Sequence, residues 1–141
     1  MRLLLDTNIL LDVALQRQGL VVSSAAVIST CAGTHEAGVS WHSLSNSFYI
    51  INRHYKSTAP AWSYCQKLLS WATIITTDHH HAQRAMQLGF DDLEDAMQVA
   101  AAESFIATHI ITRNMDDFAD SPIAALTPEQ FIQLHHPELL S

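Results

Sequence analysis

The stretch Arg2-Leu3-Leu4-Leu5-Asp6-Thr7-Asn8-Ile9-Leu10-Leu11-Asp12 decides how the rest of the chain is read. Its first part is a short apolar run that stops on an acid, the pattern of a buried strand. Asn8 to Leu15 then takes helical spacing, with Ile9, Asp12 and Val13 sharing turns, and Gly19 closes the segment. A buried strand that leads straight into a helix is the opening of a parallel α/β domain, in which helices cover both faces of the sheet.

The same alternation continues along the chain. Val22 to Ala32 is a second helix, with Ser23 or Ser24 as its cap and Gly33 as its stop. Gly38 to Trp41 is a brief strand, and Ser43 to Tyr55 is a helix carrying Leu44, Phe48, Ile51 and Tyr55 at helical intervals. Pro60 opens a helix from Ala61 to Trp71, and the β-branched run Thr73 to Thr77 is a strand. His79 to Leu88 is a helix ended by Gly89, and Asp91 or Asp92 caps a longer one through Phe105. His109 to Thr112 is a strand, Ile123 to Leu126 a short closing segment, and Pro128 to about His135 the last helix. The expectation is a single three-layer α/β/α domain over residues 1–141, with a central, mostly parallel sheet.

Composition agrees. A chain of 141 residues suits one domain, and 48% hydrophobic residues exclude a disordered segment. No apolar run approaches the length that spans a bilayer, so no membrane partner is expected. Only three leucines separate Arg2 from Asp6, so no signal peptide is expected. Cys31 and Cys65 lack metal-ligand spacing, so a reduced, cytoplasmic protein is expected. The net charge of −7 is the wrong sign for gripping nucleic acid through a basic surface. The acids are bunched, however: 91–95 and 116–120 together hold seven of the fourteen.

Ligands of open α/β sheets sit beyond the C-terminal strand ends. Asp6 ends the first strand, and Asn114, Asp116 and Asp117 follow the strand that ends at Thr112. Asp92 and Asp95 lie one turn apart at a helix start, where free N–H groups favour anions. Three segments could thus bring acids to one sheet edge. Unit charges 4 Å apart repel by about 4 kcal/mol at an effective dielectric of 20, so converging carboxylates call for a cation or shared protons. An all-oxygen set suits Mg²⁺ or Mn²⁺, ions that activate water in phosphodiester hydrolysis. The competing view makes each acid a solvated cap or turn residue. A haloacid-dehalogenase-like phosphatase would place a second aspartate where Asn8 stands, and a response-regulator receiver would need a lysine after a late strand.

Four ordered segments carry a resemblance to a known family. Leu3 to Asp12 resembles the opening of PIN-domain ribonucleases, and Asp92-Leu-Glu94-Asp95-Ala-Met-Gln98 resembles their central acidic helix start. Ile110 to Phe118 is similar to their late strand and turn, and Leu126 to Phe131 to their ending. The resemblance implies a Mg²⁺- or Mn²⁺-dependent endoribonuclease, often the VapC-like toxin paired with a small antitoxin protein. Asp6, Asp95 and Asp117 match the family's metal-binding, catalytic acids, and Asp92 an additional acid of one branch. Thr7, Asn8 and Asn114 match polar residues that orient ligands or the attacking water, with Asp116 as a further supporting acid. Asn46 stands where many members carry a glutamate. An amide oxygen brings no charge, so weaker metal affinity or compensation by Asp92 or Glu94 would follow.

Other residues are assigned to structure. Consecutive helical residues point 100° apart, so His79-His80-His81 cannot converge on one ion, and His135-His136 is read the same way. Trp41, Trp62 and Trp71 are expected in the core. Of Arg53, Lys56, Arg84 and Arg113, the last is preferred for meeting RNA phosphate because it lies beside the acids. Apolar residues in Val21 to Ile28 and Ala61 to Trp71 suggest a homodimer. A metal-dependent ribonuclease leads. A PIN-fold binding protein without useful catalysis, and an interaction protein whose acids serve solubility, remain as alternatives.

Overall fold

A computed structural model describes residues 1–140. In chain order the elements are β1 (Arg2–Leu5), α1 (Thr7–Ala14), α2 (Val21–Thr30), β2 (Glu36–Val39), α3 (Trp41–Tyr55) and α4 (Thr58–Trp71). There follow β3 (Ala72–Ile74), α5 (His79–Gln87), α6 (Leu93–Phe105), β4 (His109–Ile111), β5 (Ala124–Leu126) and α7 (Pro128–His135). A short 3-10 turn, Met115–Phe118, joins β4 to β5. The sheet order is β3-β2-β1-β4-β5, and every neighbouring pair is parallel. The chain builds outward from β1 on one side, then returns to its other side through β4. Strand order therefore reverses beside β1, and the crevice at its C-terminal end is the natural ligand position.

The alternation of a strand's side chains supplies both layers of the core. Leu3 and Leu5 face one helical layer with Ile9, Val27, Leu68 and Phe131. Leu4 faces the other with Val99, Ala102, Phe105 and Ile110. All three leucines of β1 are fully buried. Gly38 of β2 sets how closely α6 approaches the sheet: a Cβ there would lie 2.7 Å from the Phe105 ring and 2.9 Å from Ile75. Phe105 is the last residue of α6, so this contact seats the C-terminal end of that helix on the sheet.

Several local readings need correction. Trp41 does not end a strand. It opens α3, because Ser40 Oγ accepts from the Ser43 amide and caps the helix. Neither Ser23 nor Ser24 caps α2, whose N-cap is Leu20 without a side-chain bond. Their hydroxyls are taken by Glu129 and Asp12, 2.7 Å away in each case. α4 starts at Thr58, with Pro60 inside the first turn, where no N–H is required. Trp41 and Trp62 are 68% and 60% exposed rather than in the core. His81 Nδ1 accepts from the Asp78 amide and completes the cap of α5, which is a structural role for that histidine.

Candidate functional site

Asp6 is where the site begins. It leaves β1 in an extended conformation and caps α1, so its short side chain is held at the sheet edge. Its Oδ1 accepts from the Thr7 amide at 2.8 Å and from Gln98 Nε2 at 3.3 Å. Its Oδ2 accepts from Thr112 Oγ1 at 2.8 Å. Burial pushes the Asp6 carboxyl above its ordinary value, with Asp117 adding to the rise, while Thr112, Thr7 and Gln98 oppose it.

α6 supplies the second group. Asp92 caps the helix by accepting from the Asp95 amide at 3.0 Å, which places Glu94 and Asp95 in the first turn. Burial raises the Asp95 carboxyl to about 6, helped by the charges of Asp92, Asp117, Asp6 and Glu94. The Glu94 carboxyl is also raised, by burial and by Asp6 and Asp92, while a hydrogen bond from Asn46 lowers it. The third group comes from the turn after β4. The Asn114 amide donates to Thr112 Oγ1 at 3.0 Å, and the Asp117 amide donates to the Asn114 carbonyl at 3.0 Å.

These groups line one cleft of about 470 Å³, which brings together Asp6, Asp92, Asp95, Asp117 and Asn46. Thr7, Asn8 and Asn114 line it too, together with Tyr49 and Arg53. Asp116 does not. It lines an adjoining depression of about 190 Å³ with Asp91 and Asp120, which shares Asp92, Asp95 and Asp117 with the cleft. Arg113 is the clear correction. Its Nε donates to buried Asp12 at 2.6 Å, its Nη1 to Glu129 at 2.9 Å, and its Nη2 to Ser23 and Ser24. All three nitrogens of the guanidinium are spent inside the protein, so it is not placed to meet phosphate.

Among the described residues, no three His, Cys, Asp or Glu side chains stand close enough to grip one ion as placed. The donor set nevertheless fits a hard divalent cation: mutually repelling carboxylates from three segments, with amide oxygens beside them, at one opening. Sequence reading named Glu94 only as a compensating acid, and missed Thr112 and Gln98 as supports of Asp6. The spacing from Asp95 to Gln98, one turn on the same helix face, was the available signal.

A parallel α/β/α sheet with carboxylates gathered where its strand order reverses defines a class of acid-cleft domains. The family model of the PIN domain matches residues 2–116. The chain belongs to the PIN domain family, whose members are generally nucleases. No curated protein matches it in sequence. Among the solved structures that share the fold are two VapBC proteins. VapBC2 from Rickettsia felis, solved bound to a DNA fragment from their promoter, aligns with a TM-score of 0.72 at 18% identity over 90% of this chain and 98% of that one. VapBC-1 from nontypeable Haemophilus influenzae aligns with a TM-score of 0.70 at 13% identity over 92% and 99%.

Proposed function

We propose that the protein is a Mg²⁺- or Mn²⁺-dependent endoribonuclease that hydrolyses phosphodiester bonds of single-stranded or structured RNA. The observation that supports this most is the acid cleft, in which the Asp95 carboxyl is raised to about 6 by burial and by four neighbouring acids. Perturbed carboxylates in a cleft at the ligand edge of an α/β sheet are the mark of a working site. Asp6, Asp95 and Asp117 would hold the ion, with Asp92, Glu94 and Asn46 beside them. When bound, a divalent ion supplies charge for the transition state and a nucleophile at neutral pH. Thr112, the Thr7 amide and Gln98 orient Asp6 by direct hydrogen bonds. Asn114 and Asn8 offer uncharged polar groups at the rim, and Arg53 replaces Arg113 as the cation facing the substrate phosphate.

The related folds come from VapBC assemblies, which supports a toxin role and a small antitoxin protein as partner. A homodimer formed in the cytoplasm belongs to the same reading. No helix among the described residues is long and apolar enough to cross a membrane. Incubating the protein with single-stranded RNA in Mn²⁺, Mg²⁺ or EDTA tests the activity. Cleavage that requires the ion and vanishes in Asp117→Asn supports it, and cleavage indifferent to both refutes it. Asn46, an uncharged residue in an otherwise acidic cleft, favours a second reading: a PIN-fold protein that binds metal and RNA without useful turnover. Mn²⁺ binding without cleavage would select that alternative.

A further inference from the structure

Gln98 is fully buried on α6, yet only half of its amide is used. Nε2 donates to Asp6 Oδ1 at 3.3 Å and to Ser43 Oγ at 2.9 Å. Oε1 finds no partner among the described residues. A residue present only to fill space would be leucine or methionine, with no acceptor left orphaned. The donor half is therefore what the site retains.

Its two acceptors belong to the other segments that build the cleft. Ser43 Oγ also accepts from Ser40 Oγ at 2.7 Å, so its own proton goes to Thr7 Oγ1, 2.8 Å away. Each member of this uncharged network stands close in sequence to a cleft residue. Gln98 is one turn past Asp95, Ser43 one turn before Asn46, and Thr7 directly follows Asp6. The network ties α6, α3 and the end of β1 together beneath the acids.

The consequence for Asp6 follows from counting lone pairs. A carboxylate offers about four acceptor positions in its plane. The Thr7 amide and Gln98 fill the two on Oδ1, and Thr112 fills one on Oδ2. One position on Oδ2 is left. Rotation about the last Asp bond is soft, so removing Gln98 frees both the ring of donors and the choice of oxygen.

We propose that Gln98 is a positioning residue: it fixes the plane of the Asp6 carboxylate so that a single oxygen is presented to a divalent cation. It acts through Asp6, and this inference rests on the metal-site reading above. The test is Mn²⁺ titration by calorimetry of the wild type, Gln98→Met and Ser43→Ala, with thermal unfolding of each in EDTA. Loss of an outer partner of a metal ligand weakens affinity about tenfold or more, and that is the result expected for Gln98→Met. Ser43→Ala keeps the bond to Asp6 and should lose about threefold. Metal-free melting of Gln98→Met should stay at or above wild type, because the orphaned carbonyl leaves with the donor.

A merely structural glutamine gives the opposite pattern, a lower melting temperature in EDTA with Mn²⁺ affinity within about twofold of wild type. That result overturns the inference and leaves the metal site standing. Should Gln98→Met lack the far-ultraviolet spectrum of the folded chain, Ser43→Ala decides, and unchanged Mn²⁺ affinity there overturns the inference equally. A wild type that binds no Mn²⁺ overturns the metal site and this role of Gln98 together.

Discussion

Replacing Asp95 by asparagine removes the charge that the cleft holds at greatest cost. Burial and the charges of Asp92, Asp117, Asp6 and Glu94 raise its carboxyl from 3.8 to about 6. In the unfolded chain the same group titrates near its ordinary value. Between those two values the folded chain binds more protons than the unfolded one, so stability falls as pH rises, and the whole penalty is present above about pH 6. At 1.36 kcal/mol per pH unit the upper bound is ~3 kcal/mol. The residue is only partly buried, and screening by water reduces the expected penalty to about 1 kcal/mol. In EDTA near pH ~7.5, Asp95→Asn should therefore melt about 2–4 °C above wild type. The gap should narrow as pH falls through about 6 and close below about pH 3, where wild type is protonated at this position in both states. Scanning calorimetry across that range reads the effect, and the same variant should lose RNA cleavage. A gap that is absent, reversed or independent of pH refutes the argument that the cleft carboxylates repel one another.

Asn46→Glu should lower metal-free stability by adding charge to the cleft, and should steepen stabilisation by Mn²⁺ by around tenfold in affinity, ~1.4 kcal/mol. Thermal unfolding against Mn²⁺ reads both effects, and curves identical to wild type would put Asn46 outside the site. Arg113→Ala should destabilise by about 3–5 kcal/mol in urea unfolding, because it strips the main partner from a buried carboxylate. A loss below about 1 kcal/mol would show that Asp12 is satisfied by Ser24 and Arg17 alone. Sedimentation at micromolar concentration should show a homodimer, and a 15.7 kDa species alone would refute it.

The fold was legible because its signals are local. An apolar run ending in Asp6, a helix capped near Asp92, and Pro128 at a helix start all act within one turn of chain. Strand lengths were overread: Thr73 to Thr77 is β-branched throughout, yet β3 ends at Ile74. β-propensity describes a fit to a half-buried surface, and β3 has a neighbour on one side only. The site acids were legible for the same reason as the strands, since they stand at strand ends and a helix start. What supports them was not. Asp6 receives its donors from Gln98 and Thr112, 92 and 106 residues away, and no local pattern announces such pairs.

Arg113 shows the same limit from the other direction, and its fate bears on how RNA would be held. Adjacency to Asn114 and Asp117 suggested a phosphate contact, but Asp12, 101 residues away and fully buried, requires the guanidinium more. Arg2 pairs with Glu36, Arg17 with Asp12 and Arg84 with Glu103, so four of the seven basic side chains are committed to ion pairs. Arg53, Lys56 and Lys67 remain, and of these only Arg53 lines the cleft. One cation beside five carboxylates repels a phosphate chain rather than attracting it. On the ribonuclease reading, the positive charge that seats the substrate must come from the divalent ion or from the exposed cations of a second copy. The acid cleft is then a binding site for RNA only after it has become a binding site for metal.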